Sequence, residues 1–172
     1  MGLGAMHPRE LDFTLAIAFS VDDRGVLSRD LVTDAARAQQ SLLYVAWLEP
    51  AKVALKIGIS EKSLWRRWAN VMRNMERPLE AMPFLRANEI RDREKLLSFS
   101  RGQRVEVWMI PYPAHAESRF SQFAHGFSLR EAEHLLDSRY APLFGRVLGE
   151  RRPWGEIAPG EALRASTHDC KC

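Results

Sequence analysis

SLLYVAWLEPAKVALKIGISEKSLWRR, residues 41–67, reads as a β-hairpin running into a helix. Leu42–Leu48 and Val53–Ile59 are rich in Val, Ile, Leu and Trp, with Glu49-Pro50-Ala51-Lys52 between them. Residues directly opposite in an antiparallel pair share a face. Setting Trp47 against Val53 puts Tyr44 opposite Lys56 and Leu42 opposite Gly58. Leu43, Val45, Trp47, Val53, Leu55, Ile57 and Ile59 then form the core face. Tyr44, Ala46, Ala54, Lys56 and Gly58 form the other: small residues around one phenol and one amine, on a half-buried face open to chemistry. A one-residue slip would scramble that division, which favours this register.

Outward from the hairpin, Ser60 to Ser63 caps a helix reaching about Met75. Leu64, Trp68, Val71 and Met75 fall on one stripe of it at ~100° per residue. Arg67 lies about 70° from the centre of that stripe, at the border of the core, while Arg66 lies almost opposite and faces solvent. Arg77-Pro78 closes the region. A charged segment follows, helical around Ala87–Phe99, then Arg104–Ile110 as a third strand. Ala114–Phe127 reads as a helix with Phe120, Phe123 and Phe127 inward. Ser128-Leu129-Arg130-Glu131 is a capping box that opens a helix to Tyr140 and occupies Glu131 structurally. Leu129, Ala132, Leu136 and Tyr140 make its buried stripe, and Glu133 sits about 60° from that centre. Upstream, Asp12–Val21 fits a strand or a short helix equally well. Ser28 reads as the N-cap of a helix to about Gln40.

At 172 residues the chain is long enough for one domain with its own core, and 46% apolar residues argue against disorder. No apolar run approaches the ~20 residues that span a bilayer. Phe13–Val21 is too short and follows acidic Glu10 and Asp12, unlike a signal peptide. A soluble, cytoplasmic protein without a membrane partner is the expectation. Cys170, Cys172 and His168 offer three ligands where a structural zinc site takes four, so reduced thiols on a frayed tail are the simpler reading. Net charge is +3, unevenly spread: Pro50 to Arg104 holds 13 Lys/Arg against 6 Asp/Glu. That basic centre suits a polyanionic partner and equally an ordinary charged surface. Residues 1–41 read as an N-terminal extension with a helix. Residues 42–148 read as the core, with a helical insertion near 76–102, and 149–172 as a C-terminal arm.

In this order the motifs resemble the GIY-YIG nuclease superfamily. Its first tripeptide aligns with Leu42-Leu43-Tyr44 and its second with Lys56-Ile57-Gly58. Leu64-Trp65-Arg66-Arg67 matches its Leu-x-x-Arg, and Glu133, Tyr140 and Pro142 match its closing pattern, with Gly145 where asparagine is common. Lys56 departs from the second tyrosine, and Val71 stands where a histidine is often found. The resemblance implies an α/β (α+β) fold built on a small central antiparallel three-stranded sheet flanked by helices. It implies a DNA endonuclease of the size of a stand-alone restriction enzyme. Tyr44, Lys56, Arg67 and Glu133 would be catalytic, with Glu133 holding Mg²⁺ or Mn²⁺.

Phosphodiester hydrolysis needs an activated water, positive charge on the phosphate and help for the leaving oxygen. Arg67 would offer a planar fork to the phosphate. Tyr44 is the candidate base, its phenolate favoured by Lys56 and Arg67. Lys56 would tune Tyr44 or touch the phosphate itself. Arg66, Arg73, Arg77, Arg151 and Arg152 are candidate nucleic-acid contacts. Cutting both strands of double-stranded DNA with one site per chain implies a homodimer or larger homo-oligomer. The plainer alternatives are a Tyr44/Lys56 cross-strand pair on a wet sheet face, a solvated Glu133, and a catalytically weakened nucleic-acid-binding module on the same fold.

Overall fold

The computed structural model describes residues 6–144, so Gly145, Arg151, Arg152 and the Cys170/Cys172 tail lie outside the described residues. The hairpin forms where its sequence indicates, as β3 (Leu42–Glu49) and β4 (Val53–Ser60). β5 (Gln103–Pro111) pairs antiparallel with the other side of β3. The sheet does not stop at these three strands. β1 (Thr14–Val21) pairs with β5, and β2 (Leu27–Val32) pairs with β1. The result is a five-stranded antiparallel sheet in the order β2-β1-β5-β3-β4.

Residues 14–32 are therefore part of the sheet and not a helical extension. Of the stretch Asp12–Val21, Thr14–Val21 resolves as strand. The helix expected from Ser28 to Gln40 is replaced by β2 and a single turn, α1 (Asp34–Arg37), capped by Thr33. Ser28 and Asp30 carry N-cap chemistry, but β1 offers this segment a ladder of backbone hydrogen bonds. Asp30 instead accepts a 2.7 Å hydrogen bond from the Ser20 hydroxyl.

Both faces of the central strands are buried, whereas β2 is largely exposed. Tyr44, Ala46, Leu48 and Leu55 join Phe19 and Val107 beneath α2 (Leu64–Glu76), whose Leu64, Trp68, Met72 and Met75 point inward. Val71, expected in that stripe, is only half-buried, and Met72 takes its place. α3 (Ala87–Ser100) covers part of the same face through Leu96 and Leu97. On the opposite face Leu43, Val45, Trp47, Ile57 and Trp108 pack under α4 (Arg119–Ala124) and α5 (Leu129–Tyr140). α4 is shorter than its sequence suggested. Phe120 and Phe127 are buried as expected, but Phe123 is 41% exposed. Among the described residues no helix is long and apolar enough to cross a membrane.

The hairpin register differs from the expected one. Tyr44 faces Gly58 and Lys56 faces Ala46, with a β-bulge where Leu55 has no partner of its own between Ala46 and Trp47. A bulge shifts the alternation by one residue. Leu55 thus lies with Tyr44, and Ala54 with Trp47, the reverse of the division drawn from strict alternation. The face around Tyr44 is consequently no wet surface: Tyr44 is 1% exposed.

Candidate active site at the edge strand

β4 is the last strand of the sheet, and a cleft of about 400 Å³ opens along it. β4 contributes Lys56 and Gly58 to the cleft, and α2 contributes Arg67. α5 reaches it from the other face because it packs over β4, bringing Glu133, His134 and Asp137 to the rim. The capping box anticipated at its start is present: Ser128 Oγ accepts from the Glu131 backbone N–H, and Glu131 accepts from the Ser128 N–H at 2.7 Å. With Ala132, Leu135, Leu136 and Tyr140 buried, Glu133 is left half-buried at the border. After Pro142 the chain pairs with the start of β4, Leu143 and Phe144 donating to the Ala54 and Leu55 carbonyls, and Phe144 lines the cleft.

Tyr44 reaches this edge by lying across Gly58. A β-carbon on Gly58 would sit 2.5 Å from the Tyr44 hydroxyl oxygen, so the glycine is required for space. Arg67 is held twice: it donates to the Ile59 carbonyl at 2.7 Å, and its guanidinium carbon stands 5.6 Å from the Tyr44 ring centroid. The first contact uses a backbone acceptor of the edge strand, the second a cation–π attraction.

The Tyr44 phenol is pushed up to about 12, opposite to the direction expected from its cationic neighbours. Burial is the largest cause; Arg67 lowers the value and Glu133 raises it again. Removing water from a phenolate costs more here than one nearby guanidinium returns. Tyr44 is therefore a neutral hydrogen-bonding group at ordinary pH. Burial also raises Tyr112 and Tyr140, so all three tyrosines of the chain are shifted the same way. Absorbance at 295 nm should show the native protein forming tyrosinate at higher pH than the denatured chain, which titrates near the ordinary ~10. The sign for stability follows: a raised acid pKa contributes stability below pH ~10 and loses it between about 10 and 12 as the unfolded chain ionises first. A native tyrosine titrating below 10 would contradict the packing around Tyr44, Tyr112 and Tyr140.

Of the other anticipated contacts, Arg66 is exposed and lines a separate shallow pocket with Lys62, Ser63, Asn70 and Arg67. Arg73 and Arg77 are exposed farther along the same helix and its end, away from the cleft. The sequence did not signal the contribution of α3, whose Asp92 and Lys95 form the facing wall of the cleft. Their i, i+3 spacing marks a shared helix face, but nothing local connects that face to β4. Asp137 was legible in principle, one turn after Glu133.

Among the described residues no group of three or more His, Cys, Asp or Glu is arranged to hold a metal. That donor set does not suit zinc, which takes three or four protein ligands. A hard cation that keeps most of its waters needs only one or two carboxylates, and Glu133 in an open cleft can supply one. No family model, curated protein or solved structure matches the chain.

Proposed function

We propose that the chain is a metal-dependent DNA endonuclease of GIY-YIG type, a small restriction-type enzyme hydrolysing phosphodiester bonds in the cleft along β4. The observation that carries this reading is convergence. Lys56 and Arg67, from the consecutive elements β4 and α2, and Glu133, from α5 far along the chain, line one cleft, and Tyr44 lies beside it in the adjoining cavity that Lys56 and Arg67 also line. The space is large enough for a phosphate group and its waters.

Each residue has a role its position supports. Arg67, restrained by the Ile59 carbonyl and the Tyr44 ring, presents its remaining donors to a non-bridging phosphate oxygen. Lys56 adds a second positive charge from the cleft floor. Glu133 would hold Mg²⁺ or Mn²⁺, which supplies Lewis acidity and a more acidic bound water. Tyr44, neutral, buried and beside the cleft rather than in its lining, would position Arg67 through its ring and does not withdraw a proton from water. The exposed arginines of α2 and its end, Arg66, Arg73 and Arg77, would contact the backbone of double-stranded DNA outside the cleft. A homodimer would set two clefts on opposite strands.

A second reading has its own support. The raised Tyr44 phenol removes the most obvious base, which favours a catalytically weakened nucleic-acid-binding module on the same fold. Incubating plasmid DNA with the protein in Mg²⁺ or Mn²⁺, with a chelator control, separates the two. Nicked or linear products that require the metal support the nuclease. Salt-sensitive DNA binding without any cutting in either metal supports the module. Neither binding nor cutting at low salt sinks both.

A further inference from the structure

α3 stands at the rim of the cleft with one face fixed and the other open. On the fixed face Ser100 is buried, and Leu96 and Leu97 pack against the core. Arg93, on the same face, donates to the Asn74, Met75 and Arg77 carbonyls at the end of α2, at 2.7, 3.3 and 2.7 Å. At ~100° per residue, the arc of about 80° opposite that face holds Asn88, Arg91, Lys95 and Ser98 and no other residue of the helix. All four are exposed. The helix as a whole carries three cations and three acids, but Glu89, Asp92 and Glu94 all fall outside the arc. Arg91 contacts Asp92 at 3.7 Å, with both side chains more than half exposed, a pairing too weak to hold the guanidinium back from a ligand. Lys95 also lines the cleft, so the arc runs on from the space assigned to the phosphate.

We infer that this arc reads bases: α3 lies in the major groove of a B-form DNA duplex whose backbone enters the cleft, with Asn88 and Arg91 on base edges. The inference rests on the proposed reading of the cleft as a phosphate site. An asparagine amide pairs bidentately with adenine and an arginine fork with guanine, while a serine hydroxyl serves either. The 14 residues of α3 run about 21 Å, and a B-DNA major groove about 12 Å wide admits a helix. Duplex RNA does not suit the arc, because its major groove is too deep and narrow for side chains to read. A protein partner does not suit it either, since the centre of such an interface wants aromatic or apolar anchors and the arc has none. Base readout also needs a rigid support, which the Arg93 bonds to the end of α2 provide.

A pool of DNA duplexes with a randomised stretch tests this on the intact protein, the bound duplexes being recovered and sequenced for wild type, Asn88→Ala and Arg91→Ala. Wild type should enrich a preferred sequence. Each variant should lose about tenfold discrimination at one position of it, adenine for Asn88 and guanine for Arg91, and keep the others. Alanine suits an exposed helix position, so both variants should melt with the wild type. An RNA duplex of the preferred sequence should bind less tightly than the DNA at the same salt. The base-reading helix is overturned by enrichment that is the same in all three proteins, by affinity lost equally across all sequences, or by RNA bound as tightly as DNA. Wild type that binds duplexes without any preference overturns it too and leaves the phosphate reading of the cleft standing. Wild type that neither binds nor cuts any duplex at low salt ends the cleft reading, and the helix reading with it.

Discussion

Glu133→Gln is expected to lower metal-dependent cleavage by at least about 10²–10³-fold, on the scale of removing one essential electrostatic group from an active site. The change keeps the size of the side chain and removes its charge. α5 does not depend on that charge to fold, since its start is capped by Ser128 and Glu131 and its buried stripe is apolar. A half-buried border position of this kind should change stability by no more than about 0.5 kcal/mol. DNA binding should be kept or strengthened, because a negative charge leaves a cleft that faces phosphates. The same substitution removes one of the causes that raise the Tyr44 phenol, so Tyr44 should ionise at lower pH in the variant. The three readouts separate a role at the reacting centre from a role in the fold. A variant that cuts at the wild-type rate, or one that loses cutting only because it melts early, would end the case for Glu133.

Gly58→Ala should be the most damaging single methyl in the hairpin. Its β-carbon would approach the Tyr44 hydroxyl oxygen to 2.5 Å, Cζ to 2.7 Å and Cε1 to 2.9 Å. Tyr44 has little room to retreat, with Trp68 edge-on at 6.0 Å between ring centroids and Arg67 over its ring. Overpacking a well-filled core costs about 1–3 kcal/mol, and each kcal/mol lowers Tm by roughly 2–4 °C in a chain of this size. Tyr44→Phe should not rescue the variant, because two ring carbons still lie within 3 Å of the new methyl. Tyr44→Ala removes the ring, so in that background Gly58→Ala should cost almost nothing further. The coupling between the two positions is thus expected with Tyr44→Ala and not with Tyr44→Phe. Gly58→Ala proteins as stable as their parents in every background would show that the phenol does not rest on this glycine.

Much of the central region was legible because its signals are local. The hairpin is bounded by Glu49–Lys52, α2 by Ser63 and its apolar stripe, and α5 by Ser128 and Glu131. Each needs only a dozen or so neighbouring residues to be recognised. Glu133 was visible for the same reason, since helical periodicity alone sets a side chain at the border of a buried stripe; Arg67, expected at such a border, is exposed and is held by the Ile59 carbonyl and the Tyr44 ring. The bulge at Leu55 was hidden because Ala54 and Leu55 are both apolar. Either can face either layer, so alternation does not reveal which residue is the extra one. Lys95 and Asp92 were hidden because their partner surface is distant in the chain.

The order of the amino acids by itself determined the β3–β4 hairpin, the α2 and α5 helices and the third strand, together with the border position of Glu133. Tertiary structure alone decided that β1 and β2 extend the sheet, that Tyr44 faces Gly58, that α3 walls the cleft, and that the phenol is held neutral. The physical reason is that periodicity records what one segment offers to a core. Strand pairing, and the loss of water around a phenol, depend on which other segments arrive to cover it.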